Sequence, residues 1–130
     1  MSEQSGTVTR GVRVRVLARY IKERSNPEDG LWFFAYRVEI ANVGESKVQL
    51  ISRHWIITDG DGHVEEVRGP GVVGEQPLLA PGQSFEYTSA CPLPTPFGTM
   101  HGSYQMIDEE GERFDATIAP FALSLPNLIN

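Results

Sequence analysis

The chain has 130 residues and one cysteine, a length that suits a single domain able to bury about two thirds of its unfolded surface without disulfides or metals. Its formal net charge of −6 argues against nonspecific nucleic-acid binding, which depends on phosphate neutralisation by Lys and Arg. Because the chain has neither a signal-like N-terminus nor an apolar stretch near the ~20 residues of a membrane span, we expect a cytoplasmic protein without membrane insertion.

The first alternating segment combines apolar and basic residues. Val12, Val14 and Val16 alternate with arginines, which predicts a half-buried strand over residues 12–21, whereas residues 1–7 are expected to be flexible. Six Lys and Arg against two Glu give residues 1–24 a charge of +4, which leaves −10 elsewhere. We interpret this segment as an edge strand whose arginines pair with acidic neighbours; a basic strip for an acidic partner or RNA is the alternative.

Six further segments alternate in the same way, with Gly, Pro or Asn in the turns between them. They cover residues 32–40, 47–58, 63–68, 85–91, 99–107 and 113–118. No segment carries helical spacing over ten residues. The pattern predicts one all-β domain over residues 1–130, with 126–130 as a tail. Its fold is predicted to be an antiparallel β-sandwich of about seven strands, of the immunoglobulin or fibronectin type III kind, with a closed barrel as the alternative.

The run 69–74 (GPGVVG) matches the glycine spacing of a dinucleotide-binding fingerprint, in which the third glycine opens a helix that holds the pyrophosphate. Pro77 and Pro81 leave no room for such a helix. We interpret the run as a structural loop with Val72 and Val73 turned inward. The alternative is a nest of backbone N–H groups that binds an anion or a nucleotide phosphate, and its candidate residues are Arg68, Gly69, Gly71 and Gly74.

Side chains that could carry metal or catalytic chemistry are scattered along the sequence. His54, His63 and His101 do not form pairs at ligand spacing, so we predict no metal site and no cofactor. The run 59–63 (DGDGH) begins like a calcium loop but lacks the required sixth-position glycine and twelfth-position glutamate, and we predict a hairpin turn. Cys91 is predicted to be a packed structural thiol, and no catalytic residue is assigned.

Three runs, 52–59 (SRHWIITD), 66–74 (EVRGPGVVG) and 85–89 (FEYTS), resemble the ApaG family. The resemblance extends from about residue 12 to residue 125 and includes 95–102 (TPFGTMHG) and 118–121 (IAPF). It implies a fibronectin type III-like sandwich, a bacterial protein linked to cobalt resistance and magnesium efflux, and a domain reused in F-box proteins and a polymerase-delta-interacting protein. The family brings no catalytic residues.

Two functional hypotheses follow. The first is a non-catalytic module that recognises a protein partner through its loops and apolar patches. The second is a binder or hydrolase of nucleotide phosphates that uses the glycine loop. The C-terminal residues 121–125 are predicted to pack on their own domain, whereas Leu128 and Ile129 either pack on a neighbouring subunit in a homodimer or stay loose.

Overall fold

The computed structural model describes residues 3–126, and nearly all of them lie in strands and the turns that join them. The strands are β1 (Gln4–Thr9), β2 (Val12–Tyr20), β3 (Trp32–Asn42), β4 (Val48–Asp59), β5 (Val64–Pro70), β6 (Leu78–Leu79), β7 (Ser84–Leu93), β8 (Phe97–Asp108) and β9 (Arg113–Ser124). Two single-turn 3-10 helices, Lys22–Arg24 and Pro27–Asp29, follow β2. Within residues 3–126 no helix is long and apolar enough to cross a membrane.

The strands form two antiparallel sheets that pack face to face. One sheet has the order β1-β2-β3-β7, and the other has the order β5-β4-β8-β9 with β6 paired to the start of β4. The predicted all-β sandwich is therefore confirmed, and the seven predicted strands correspond to β2, β3, β4, β5, β7, β8 and β9. The alternation in β2 has the expected result, because its valines are buried between the sheets and its arginines lie on the outer face.

An aromatic cluster fills the space between the sheets. Trp55 of β4 makes edge-on contacts with Tyr36 of β3 and Phe121 of β9, at ring-centroid distances of 5.3 and 5.9 Å. These three side chains come from both sheets and are buried. Because aromatic pairs bury large areas and favour tilted geometry, the cluster fixes the spacing of the sheets. Phe121 and Leu123 are fully buried, which confirms that residues 121–125 pack on their own domain; Leu128 and Ile129 lie outside the described residues.

The N-terminal segment differs from the sequence-based expectation. Residues 4–7, which we expected to be flexible, lie in β1, where Gln4 to Thr9 pair with Leu17 to Val12 of β2. Since β1 covers β2, the prediction that β2 is an edge strand is wrong. The predicted pairing of its arginines is confirmed for Arg13 and Arg15, whose guanidinium groups lie 3.3 and 3.8 Å from the Glu39 carboxylate.

Candidate functional site

The glycine loop is a tight hairpin. Gly71 and Gly74 have φ values of +62° and +82°, and no helix begins at Gly74, as predicted. A Cβ at Gly71 would lie 2.3 Å from the Glu75 carbonyl oxygen, so glycine is required there for space as well as for conformation. Val72 is buried as predicted. The prediction that Val73 turns inward is wrong, because its side chain is 57% exposed at the tip of the hairpin, with φ at +42°.

The polar groups of this loop bond mainly to the protein itself. The Gly71 N–H donates to the Ile51 carbonyl, and Val72 and Glu75 exchange two backbone hydrogen bonds of 2.8 and 2.9 Å. The Arg53 guanidinium donates to the carbonyls of Pro70 and Gly71, and it fills the space beside Gly69 that a side chain would take. Several of the N–H groups that an anion would need are therefore already engaged.

Arg68, the cationic candidate of this site, lies on the outer face of its sheet. Its guanidinium is 3.3 Å from the Glu66 carboxylate, which also lies 2.7 Å from His54 Nε2. The hydrogen bond to His54 lowers the pKa of Glu66. The structure thus places Arg68 in a surface network with Glu66 rather than over Gly71 and Gly74, and anion binding by these four residues stays a prediction.

The other polar candidates have structural partners. Asp59 Oδ1 accepts the N–H groups of Asp61 and His63, and β4 and β5 pair directly across this turn, so the predicted hairpin is confirmed. No group of three or more His, Cys, Asp or Glu between residues 3 and 126 is arranged to hold a metal ion. Cys91 is buried as predicted; burial, followed by the nearby Glu65 carboxylate, raises the pKa of its thiol to about 12.

The outer face of the β1-β2-β3-β7 sheet carries a depression of about 650 Å³ lined by Arg15, Arg37, Glu39 and Glu86. The charges that line it pair with one another, since Arg15 lies 3.8 Å from Glu39 and Arg37 bonds to Glu86. An acidic partner for the basic N-terminal segment would have to compete with these carboxylates, and it stays a prediction.

The two sides of the sandwich are closed to different degrees. On one side β1 lies along β9, where Thr7 Oγ1 donates to the Thr117 carbonyl and the Thr117 N–H donates to Thr9 Oγ1. Ser124 also donates to the Glu3 carboxylate across this boundary. These contacts occupy polar groups that an unpaired strand edge would expose. We call the opposite side, between β5 and β7, the open side, because no described strand pairs with the outer edges of β5 and β7.

The register identifies the backbone groups that face the open side. The Asn42 N–H donates to the Gln83 carbonyl, and β7 then runs antiparallel to β3 from Ser84 to Leu93. Because hydrogen bonding alternates along an antiparallel pair, odd-numbered residues of β7 bond to β3. The N–H and C=O groups of Thr88 and Ala90 therefore point to the open side. Pro92 shares this orientation, which explains how a proline fits within the strand.

A groove of about 470 Å³ lies at one end of the open side. Its apolar lining consists of Ile57, Val64, Pro92, Leu93 and Pro94, and its polar lining consists of Asp59, Asp61, His63 and Glu65. Sequence reasoning missed this groove, since its residues come from two sheets and lie some 30 positions apart in the chain. Pro92 within an alternating segment was the available signal for an unpaired edge.

Comparison with known proteins gives consistent matches. The ApaG domain family model matches residues 22–108. Protein ApaG of Methylobacterium sp. (strain 4-46) is 57% identical over 120 residues, which is 92% of each chain, and Protein ApaG of Azoarcus sp. (strain BH72) is 54% identical over 97% of this chain and 99% of its own.

Solved structures match along the whole sandwich. The crystal structure of an ApaA protein from Bordetella pertussis has 52% identity, covers 98% of both chains and superposes with a TM-score of 0.87. The C-terminal domain of wzt has 10% identity and a TM-score of 0.54, covers 99% of this chain and 81% of its own, and shares the fold alone.

Proposed function

The chain belongs to the ApaG family, and on that premise we propose that it is a non-catalytic module that binds another protein through the open side of its sandwich. The observation that carries the proposal is the difference between the two sides. Threonine side chains join β1 to β9, whereas the edges of β5 and β7 flank a groove with an apolar floor.

Exposed apolar and backbone groups favour a protein as the ligand. Val64 is 59% exposed at the start of β5, and Ile57 and Leu93 line the groove beside it. Unpaired strand edges offer rows of donors and acceptors that another chain can satisfy. The glycine loop supports phosphate binding less well, because the Arg53 guanidinium and the Ile51 carbonyl already bond to it.

The resemblance also suggests a link to cobalt and magnesium tolerance, and the cytoplasmic location expected from the sequence stays a prediction. We propose that the link is indirect and acts through the protein partner. One reason is that His54, a candidate metal ligand, already uses its Nε2 atom in a hydrogen bond to Glu66 on the surface of the sheet.

The proposal is tested by capture from a bacterial lysate on the immobilised full chain. Val64→Lys places a charge at the groove, and Leu17→Lys is the matched control because Leu17 is 57% exposed on the outer face of the other sheet. We expect Leu17→Lys to retain the captured protein and Val64→Lys to lose it. Equal capture by both variants contradicts binding through the open side.

Calorimetry with ATP and diadenosine tetraphosphate addresses the phosphate alternative. If Gly74→Ala abolishes the heat of nucleotide binding and Val64→Lys does not affect capture of the protein partner, the glycine loop is the binding site. The Gly74 position is suitable because an added Cβ meets no atom within 4 Å, so an alanine there strains the φ of +82° of the loop without a steric clash.

A further inference from the structure

We infer that the ligand of the open side is an extended, basic segment of the partner protein, which adds as a new strand to the outer edge of β7. This inference rests on the proposed function and specifies its mode of recognition. It has two independent supports, which are the orientation of the β7 backbone and the charge around the groove.

The backbone of β7 is a template for strand addition. Its register with β3 turns the N–H and C=O groups of Thr88 and Ala90 outward, two residues apart, as a pairing strand requires. Pro92 provides a carbonyl but no N–H at the next outward position, so it limits the ladder at that end. The added segment is therefore expected to pair along residues 86–92, with most of its hydrogen bonds at Thr88 and Ala90.

The charge around the groove selects the composition of that segment. Asp59, Asp61 and Glu65 line the groove together with His63, and no Lys or Arg is among the described residues of its lining. Glu65 of β5 and Leu93 of β7 line the same groove, so the Glu65 carboxylate lies beside the end of β7. A strand on β7 would direct alternate side chains toward these carboxylates and toward Ile57. Lys or Arg at some of these positions, and apolar residues at others, match this surface.

A second copy of the chain matches the same surface less well. In a two-fold dimer on the open side each copy presents the same acidic patch, so the groove lining of the second copy brings further negative charge and no Lys or Arg. The net charge of −6 adds to this repulsion. Like-charge pairs suppress association, and the groove therefore favours a basic partner over self-association.

Peptide selection tests the composition. A phage-displayed library of random twelve-residue peptides is selected on the full chain, and the enriched peptides are measured by fluorescence anisotropy. We expect enrichment of Lys and Arg at alternate positions and a loss of affinity with added salt that is smaller in Glu65→Gln. Enrichment of acidic peptides, or of none, contradicts the inference.

Three variants test the strand pairing. Thr88→Pro removes an outward N–H, Thr88→Ala keeps that N–H while shortening the side chain, and Arg68→Pro removes an outward N–H from β5. The proline in Thr88→Pro removes one hydrogen bond to the added strand, and its ring also blocks the close approach of that strand. We expect Thr88→Pro to weaken binding at least tenfold and the other two variants by less than threefold. The melting temperature of each free variant checks that it is folded.

Amide hydrogen exchange provides the direct readout. The Thr88 and Ala90 amides should exchange fast in the free chain and slowly in the complex, whereas the Ser89 and Cys91 amides, which bond to β3, should be slow in both. Unchanged binding in Thr88→Pro overturns strand addition on β7 but leaves the proposed function intact if Val64→Lys abolishes capture. Protection of Thr88 and Ala90 that depends only on the concentration of the chain would identify a second copy as the ligand and overturn the inference.

Discussion

Replacing Gly71 by alanine tests the tight hairpin that holds the glycine loop. Its φ of +62° costs an alanine about 1–2 kcal/mol. The new Cβ would lie 2.3 Å from the Glu75 carbonyl oxygen, so the hairpin must shift. That shift weakens or breaks the two backbone hydrogen bonds between Val72 and Glu75, each of which contributes about 1 kcal/mol to stability. The expected loss of unfolding free energy is therefore about 2–4 kcal/mol.

Urea unfolding followed by tryptophan fluorescence measures this loss. With a slope of about 1.5 kcal/mol per molar urea, the midpoint should fall by about 1.3–2.7 M. Gly74→Ala is the matched control, since Gly74 has φ of +82° but no atom within 4 Å of an added Cβ. It should lose only the conformational cost of about 1–2 kcal/mol. Equal losses in the two variants would show that the steric reasoning about Gly71 is wrong.

Three further predictions concern the core and the surface. Cys91 should resist alkylation at pH 8 in the folded chain, because burial raises the pKa of its thiol to about 12. The contribution of the protonated thiol to stability is complete below the ordinary thiol pKa and is lost as the pH rises toward 12. Urea unfolding at a series of pH values, with Cys91→Ala as the control, measures this loss. His54→Ala should raise the pKa of Glu66 toward its ordinary value, as followed by carboxyl NMR titration; an unchanged titration would contradict the role of the hydrogen bond. Phe121→Ala should lower the unfolding free energy by about 3–5 kcal/mol in urea, since its ring is fully buried against Trp55 and Tyr36; a loss below 1 kcal/mol would contradict that packing.

The parts of the fold that could be predicted are those where burial alone sets the pattern. In β2 the valines face the core and the arginines face water, so the alternation is directly visible. β1 has no such signal, because Gly6, Ser5 and the threonines around them form a strand only through pairing with β2 and side-chain bonds to Thr117. These contacts join residues about 110 positions apart, and local sequence cannot reveal them.

In the candidate site, too, some features could be predicted from the sequence and others could not. The glycine spacing and the nearby prolines predicted a loop without a helix, and the left-handed conformation of Gly71 and Gly74 agrees with that prediction. The orientation of Val73 could not be predicted, because Val72 pairs with Glu75 at the base of the two-residue turn and packs in the core, whereas Val73 lies within the turn and in solvent. The open side depends on which strand lies beside β7, and sheet order is a property of the complete fold.

The most direct test of binding through the open side is backbone NMR of the full chain during titration with the captured partner or a selected peptide. We predict that shift changes and amide protection concentrate at Thr88, Ala90, Val64 and Glu65, while the β1–β9 boundary and residues 69–74 remain unchanged. Changes that concentrate at residues 69–74 or at Thr117, with the β7 edge unaffected, would contradict the account.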